Sequence, residues 1–480
     1  MAKPAILLIG GLDPQGCAGM AADLATVQAH DCHGLALITA MTEQSSHGLI
    51  RLGAVSPAQL LNQYRSSVAD FDIKAIKIGL IPNAAIARCV LHILQQHQVP
   101  VVLDPVLGST SGGQGVDEET QQLLVNEIMP AVTLVTPNLP ELKQLTHSLG
   151  TMEHAAESLC QAGAQSCLVK GGHNESVWAS DYFITGDQAF YLYQSKQAVN
   201  VRGTGCVLAS SLACHLARGQ EVRDAVVLAK AYVTRGIRLS TRSGPYRLIH
   251  HSRAEMLIED VPKLCYHADS IGKSYTFPAC PERLGIYPVV DSKDWVDKLV
   301  QQGISTIQLR VKDRQEAELS QEIQQAVQAI AGQDIHLFIN DHWQLALQHG
   351  AYGVHLGQED LHVANLTQIM NAGLRLGVST HSYWELARAL AVNPSYIALG
   401  PIYATTSKQM TWVPQGKARL QEWLRLLKGR YPVVAIGGIN AARAAELKTT
   451  GVGSVAMISA ITQAQDYRQA TQQLLALWQE

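Results

Sequence analysis

The sequence predicts an α/β protein in two parts: a three-layer α/β/α sandwich built on a mostly parallel sheet, then a TIM (β/α)8 barrel. Three observations carry this expectation. A chain of 480 residues is too long for one ordinary domain. Short apolar runs alternate with helical spacing through the first half, the pattern of a parallel sheet covered on both faces. From Arg283 to residue 480, eight strand-like runs alternate with helical patterns, the compact layout of a barrel.

Composition narrows the function classes. Apolar residues make up 47% and charged residues 16%, enough to build well-buried cores. A net charge of −3 excludes a general attraction to nucleic acid or anionic membrane. The 9 cysteines are scattered without a Cys-x-x-Cys pair, which argues against a disulfide framework or zinc site and fits a reducing cytoplasm. Met1-Ala2-Lys3-Pro4 leads straight into a strand-like run without a signal-peptide layout, and no apolar run reaches membrane-spanning length, so a soluble cytoplasmic protein is expected.

In the first half, Ala5–Gly11 is an apolar strand running into a glycine-bearing loop, Leu12 to Gly19, with a helix from Met20 that carries Asp23. Glycines let backbone approach a ligand, and a helix start favours anions; the Gly-Lys-Ser/Thr ending of a P-loop is absent. Further strands are expected at Gly34–Thr42, Ala75–Leu80, Val99–Val106, Leu134–Asn138 and Ser166–Gly171. Their polar or glycine-rich ends recur: Thr42-Glu43-Gln44, Lys77-Ile78-Gly79, Asp104-Pro105, Asn138 with Glu141, and Lys170-Gly171-Gly172. Each is ordinary turn chemistry alone; together they mark one site along the carboxyl edge of the sheet. A hairpin follows at Val177–Ile184 and Ala189–Tyr193. Arg202-Gly203-Thr204-Gly205-Cys206 then opens a helix from Val207 to Ala217. A Gly-Thr-Gly turn entering a helix offers free N–H groups to an anion. A lone cysteine is usually a small buried thiol. After an anion-binding turn a catalytic role is the stronger expectation, since a helix N-terminus lowers a thiol's pKa. Ala225–Arg242 reads as one more helix, and residues 256–282 as a linker.

The second half has expected strands at Leu284–Val290, Thr306–Val311, Leu337–Asn340, Gly353–Leu356, Arg375–Thr380, Tyr396–Gly400, Pro432–Ile439 and Ser454–Ile458. Barrel sites are built just after the strands. Gln308, Arg310 and Lys312 alternate, so all three face one side, and a guanidinium beside an ammonium suits a diphosphate. Asn340-Asp341 and Asp360 follow adjacent strands. Either aspartate alone reads as a helix N-cap; the pair at matched strand ends points instead to Mg2+, a hard cation often shared with phosphates. Ser379-Thr380-His381, Thr405-Thr406-Ser407-Lys408, Gly437-Gly438 and Ile458-Ser459 complete the rim, the last two where barrels commonly bind phosphate.

Residues 1–255 resemble the ribokinase-like superfamily, in particular hydroxymethylpyrimidine/phosphomethylpyrimidine kinases. The matching pieces are Gly10-Gly11-Leu12-Asp13, Ala18-Gly19 with Asp23, Thr42 to Gln44, Asp104-Pro105-Val106, Asn138 with Glu141, Lys170-Gly171-Gly172 and Gly203-Thr204-Gly205-Cys206. Ribokinases generally end that last turn in Asp, the pyrimidine kinases in Cys, as here. The first loop departs from the family's usual Gly-Ser-Asp-x-Ser-Gly-Gly-Ala-Gly-Ile-Gln-Ala-Asp at Leu12, Gln15, Cys17, Met20 and Ala21. By this resemblance Asp23 and Gln44 would hydrogen-bond the pyrimidine. Asp104, Asn138, Glu141 and Lys170 would support Mg–ATP, with Gly203 and Gly205 in the anion hole, and Cys206 would act on the nucleophilic oxygen.

Residues 283–480 resemble thiamine-phosphate synthase through Gln308-Leu309-Arg310-Val311-Lys312, the stretch Leu337–Asp360, Gly377-Val378-Ser379-Thr380-His381, Gly400-Pro401-Ile402-Tyr403, Lys408 and Ala435-Ile436-Gly437-Gly438-Ile439. That resemblance implies that Gln308, Leu309, Arg310, Val311, Lys312, Asn340, Ser379 and Lys408 hold an aminopyrimidine diphosphate. Asp341 and Asp360 would bind Mg2+. Thr405, Thr406, Ser407, Gly438, Ile458 and Ser459 would hold thiazole phosphate, with Arg310 and Lys408 stabilising the departing pyrophosphate. The expectation is a bifunctional transferase using ATP and Mg2+, with small-molecule partners and no nucleic acid or membrane; a homo-oligomer is left open. Two alternatives stay open for the first domain: a pyridoxal-type vitamin kinase, or a non-catalytic ligand-sensing module attached to a working synthase.

Overall fold

A computed structural model describes residues 2–45, 48–108, 116–148, 150–172, 176–186, 188–251, 253–312, 314–404 and 413–479. The chain divides into two compact units, residues 1–272 and 273–480.

The first unit is a three-layer α/β/α sandwich. Its strands are β1 (Ala5–Leu12), β2 (His33–Ser45), β3 (Gly48–Ala54), β4 (Ile73–Ile78), β5 (Val101–Leu103), β6 (Leu134–Val135), β7 (Ser166–Val169), β8 (Trp178–Thr185) and β9 (Gln188–Ser195). A small hairpin, β10 (Thr241–Ser243) and β11 (Tyr246–Leu248), stands apart, and β12 (Lys263–Cys265) returns to the sheet. The sheet order is β12-β9-β8-β7-β6-β5-β4-β1-β2-β3. The centre, β2-β1-β4-β5-β6-β7, is parallel, and the edges are antiparallel. Strand order reverses between β1 and β4, the switch point where such sheets open a crevice at their carboxyl ends. Ala5, Leu7 and Ile9 join the core with Ile86, Val90 and Ile93 of the helix Ala84–Leu94. The alternate residues Ile6 and Leu8 are equally buried, so both sheet faces are covered. Each such side chain contributes about 1.5–3 kcal/mol of burial.

Two expectations are corrected here. The last long helix runs Val222–Arg238 rather than to Arg242, because a turn at Gly244 (φ 57°) closes the β10–β11 hairpin. Much of the expected linker 256–282 is held. Lys263–Cys265 pairs with Tyr191–Tyr193 of β9, and Ser395 Oγ and Arg375 Nε donate to the carbonyls of Pro278 and Ala279. A three-residue edge strand carries too little periodicity to be read from sequence.

The second unit is a closed parallel barrel of β13 (Gly285–Val290), β14 (Thr306–Leu309), β15 (His336–Asn340), β16 (Gly353–Leu356), β17 (Arg375–Thr380), β18 (Tyr396–Leu399), β19 (Val433–Ile436) and β20 (Ser454–Met457). Its interior packs Tyr287, Val289, Phe338, Tyr396, Ala398, Val434 and Ala456. No helix among the described residues is long and apolar enough to cross a membrane.

Candidate functional site

In the first unit two glycine loops meet at the switch point. Asp13 shapes the first: its carboxylate accepts from the backbone N–H groups of Gln15, Cys17 and Ala18 at 2.9, 3.2 and 3.1 Å. The loop's form therefore rests on one side chain and its own backbone, which accommodates the unusual residues at 15 and 17. The helix Thr204–Ala217 begins one turn earlier than Val207, capped by Gly203 with φ 80°. A Cβ at 203 would also lie 2.1 Å from the carbonyl oxygen of Cys17, so only glycine lets the two loops touch. The free N–H groups of that helix start overlook a charged group. Lys170 Nζ donates to Asp104 Oδ1 at 2.7 Å and stands 4.0 Å from Glu141. A Cβ at 205 would sit 3.3 Å from Lys170 Nζ, so Gly205 keeps that approach open. Asn138 and Glu141 form a reciprocal capping box on the helix Leu139–Thr146. Burial, with Asp104 adding to it against the pull of Lys170, raises the Glu141 carboxyl to about 7.

Two residues stand differently from expectation. Asp23 has no exposed surface; its oxygens accept from Lys77 Nζ and Ser210 Oγ, both at 2.7 Å. Its carboxylate is thus enclosed and paired within the domain. Cys206 was expected to have a lowered pKa. Burial, reinforced by Asp23 and Asp104, overrides the helix N-terminus and Lys77 and pushes its thiol up to about 11. Gln44 is on the end of β2 that has run past β1 and pairs with β3, beside a register shift after Glu43. The contacts described do not bring it to the Asp104–Lys170 group.

Lys77, read from sequence only as part of a strand-end cluster, is the partner that reading did not assign to Asp23. Burial opposes its charge, but Asp23, with Cys206 and Asp104, holds its ammonium above the usual range. A lysine inside the apolar run Ile73–Ile78 was the signal, since lysine is almost never fully buried unless paired.

In the barrel, Arg310, Asp341 and Asp360 come together. Asp341 directly follows β15 in left-handed backbone (φ 64°), and its N–H donates to the His355 carbonyl of β16 at 2.9 Å. Its carboxyl is hydrogen-bonded to that of Asp360 and accepts from the Asn340 amide. Burial and the Asp360 charge raise Asp341 to about 6, against the pull of Arg310. Neither aspartate is an N-cap: His342 caps one helix and Gly357 the other. Two adjacent carboxyls flanked by an amide form a hard-oxygen donor set that a divalent cation could occupy.

Gln308 is buried on β14, Leu309 and Val311 pack into the core, Arg310 is half-buried and Lys312 is exposed. Ser379 accepts or donates at 2.8 Å to His355 Nε2. Gly438 (φ 64°) and the Ile458-Ser459 start of a short helix end β19 and β20. Thr405, Thr406, Ser407 and Lys408 lie outside the described residues. Sequence reasoning missed His355, buried between Ser379 and Tyr396; a histidine inside the apolar run Gly353–Leu356 was the available sign.

Comparison with known proteins decides between readings of this geometry. Residues 286–461 match the thiamine monophosphate synthase family model. Thiamine-phosphate synthase of Pectobacterium atrosepticum is 54% identical over 204 residues, covering 42% of this chain and 96% of that protein. The Serratia proteamaculans enzyme is 55% identical over 201 residues, covering 42% and 94%. The chain belongs to the thiamine-phosphate synthase family. Ahead of that synthase domain, residues 13–250 match the phosphomethylpyrimidine kinase family model, so two thiamine-biosynthesis transferases are joined in one chain. The first unit shares its fold with pyridoxal kinase from Staphylococcus aureus, solved with AMP-PCP, at a TM-score of 0.51 and 24% identity, over 55% of this chain and 99% of that one.

Proposed function

We propose that the first domain phosphorylates 4-amino-5-hydroxymethyl-2-methylpyrimidine and then its monophosphate from Mg–ATP. The barrel then joins the resulting diphosphate to thiazole phosphate in the cytoplasm. The observation that carries the synthase half is the convergence of Arg310, Asp341 and Asp360 on one rim.

Asp341 and Asp360 would hold Mg2+, which supplies charge neutralisation for the pyrophosphate leaving group. Arg310 presents a planar guanidinium to the same oxygens, with Lys312 and Lys408 as further cations. Gln308, Asn340 and Ser379 orient the pyrimidine, whose electron-rich ring supports positive charge at its methylene as the bond to pyrophosphate breaks. Gly438, Ile458 and Ser459, with Thr405–Ser407, would place the thiazole phosphate so that the ring nitrogen faces that carbon.

In the kinase, Lys170 and the N–H groups after Gly203 would neutralise the transferred phosphoryl group, with Asp104 and Glu141 serving Mg–ATP. A thiol held protonated to about 11 is a hydrogen-bond donor at neutral pH, so Cys206 would orient the substrate oxygen rather than deprotonate it. Asp23 would act through Lys77.

The test incubates the intact protein with the pyrimidine alcohol, ATP, Mg2+ and thiazole phosphate and follows products by mass spectrometry, with pyridoxal as a competing alcohol. Monophosphate, diphosphate and thiamine phosphate are expected in turn. Rapid pyridoxal phosphorylation without pyrimidine turnover would overturn the kinase half; no thiamine phosphate from supplied diphosphate would overturn the synthase half.

A further inference from the structure

Across the barrel interior runs a continuous chain of polar side chains, four of them buried and the last, Ser379, half-buried. Gln308 Nε2 stands 3.5 Å from Tyr287 Oη, which is 2.9 Å from Tyr396 Oη. Tyr396 Oη is 2.7 Å from His355 Nδ1, and His355 Nε2 is 2.8 Å from Ser379 Oγ. Five residues from five strands thus link Gln308 and Ser379, two of the three side chains that the proposed function sets against the pyrimidine. A neutral His355 ring has one donor and one acceptor nitrogen, which suits the hydroxyls placed at both of its nitrogens.

A second observation shows that the backbone is shaped for this chain. Gly377 is paired with Tyr396 across β17 and β18. A Cβ at 377 would lie 2.2 Å from Tyr396 Cζ and 2.4 Å from its Oη. Glycine there is what lets the tyrosine reach both His355 and Tyr287.

We propose that Tyr287, Tyr396 and His355 are positioning residues. They form one hydrogen-bond relay that fixes the donor and acceptor groups offered by Gln308 and Ser379, and so selects a 4-aminopyrimidine over its 4-oxo counterpart. The sense of the chain follows from its ends. With the Gln308 amide N–H donating to Tyr287, the protons of Tyr287 and Tyr396 pass along to His355 Nδ1. His355 then carries its proton on Nε2 and donates to Ser379. That leaves the Ser379 hydroxyl to donate outward and the Gln308 carbonyl to accept. A 4-aminopyrimidine has the matching edge, an N–H2 donor beside a ring-nitrogen acceptor. The 4-oxo ring has the reverse, and a site built for one leaves polar groups unpaired against the other. The inference rests on the synthase reading.

The experiment measures condensation by the full chain with the 4-amino and 4-oxo pyrimidine diphosphates for wild type and Tyr396→Phe, with circular dichroism to check folding. Wild type should prefer the amino substrate in kcat/KM by about 100-fold or more. Tyr396→Phe should raise KM for the amino substrate about tenfold, narrow the preference by a similar factor and leave KM for thiazole phosphate unchanged. Tyr287→Phe, which cuts the chain one link nearer Gln308, should do the same and carries the test if Tyr396→Phe is unfolded. An active wild type without the preference, or folded variants that keep it, would refute the relay alone. A wild type without any condensation would refute the synthase reading beneath it.

Discussion

Asp23→Asn isolates what the buried pair in the kinase domain does. Asp23 and Lys77 are 0% and 1% exposed and 2.7 Å apart, with Ser210 donating to the second carboxylate oxygen. Neutralising Asp23 leaves an ammonium in the core facing an amide. Breaking a buried pair in this way costs about 3–5 kcal/mol, and in a domain this large that corresponds to a fall in melting temperature of roughly 10 °C. The assay is calorimetry of the intact chain, following the kinase-domain transition while synthase activity reports on the barrel. Lys77→Met added to Asp23→Asn should recover most of the loss, because an apolar pair of similar volume needs no counter-charge. Kinase activity should not return, since Lys77 also faces Cys206 and Asp104. If Asp23→Asn left the transition in place and raised only KM for the pyrimidine alcohol, Asp23 would be a substrate contact and the buried-pair reasoning would fail.

Further outcomes follow from the same geometry. Arg310→Ala and Asp341→Ala should each remove most synthase activity, at least about 100-fold, with kinase activity and folding intact; near-normal thiamine phosphate formation by either would count against the shared rim. Magnesium dependence of the synthase should strengthen as pH rises through about 6, where Asp341 releases its proton, and Asp360→Asn should move that change to lower pH; titration of activity with Mg2+ from pH 5 to 8 reads both. Glu141 holds its proton more tightly folded than unfolded, so its stabilisation is complete below about 4.5 and lost as pH rises to about 7. Glu141→Gln keeps the capping box and should flatten denaturant stability across that window. Cys206 should react slowly with iodoacetamide at pH 8, and Cys206→Ser should retain kinase activity; rapid alkylation would show a thiolate that the burial excludes.

Local signals set out much of this protein in advance. Apolar runs punctuated by glycine and polar pairs placed all eight barrel strands; Gly353–Leu356 and Arg375–Thr380 match residue for residue. The strand–helix–strand reading of residues 337–360 put Asp341 and Asp360 at matched strand ends, and the contact between them follows directly from parallel pairing. Such features are written in neighbouring residues, because periodicity and backbone chirality act over a few positions. What the tertiary structure decided was the state of particular side chains. Asp23 was legible as an acid near a glycine loop, but its partners are 54 and 187 residues away, and they enclose its carboxylate in a buried ion pair. Cys206 was legible as a thiol at a helix start, yet surrounding burial and two carboxylates reverse the sign of its pKa shift. The link from His355 to Tyr396 spans 41 residues and needs Gly377 to leave room. Burial and charge are summed over neighbours brought in by the fold, so protonation and pairing are properties that the order of residues alone does not carry.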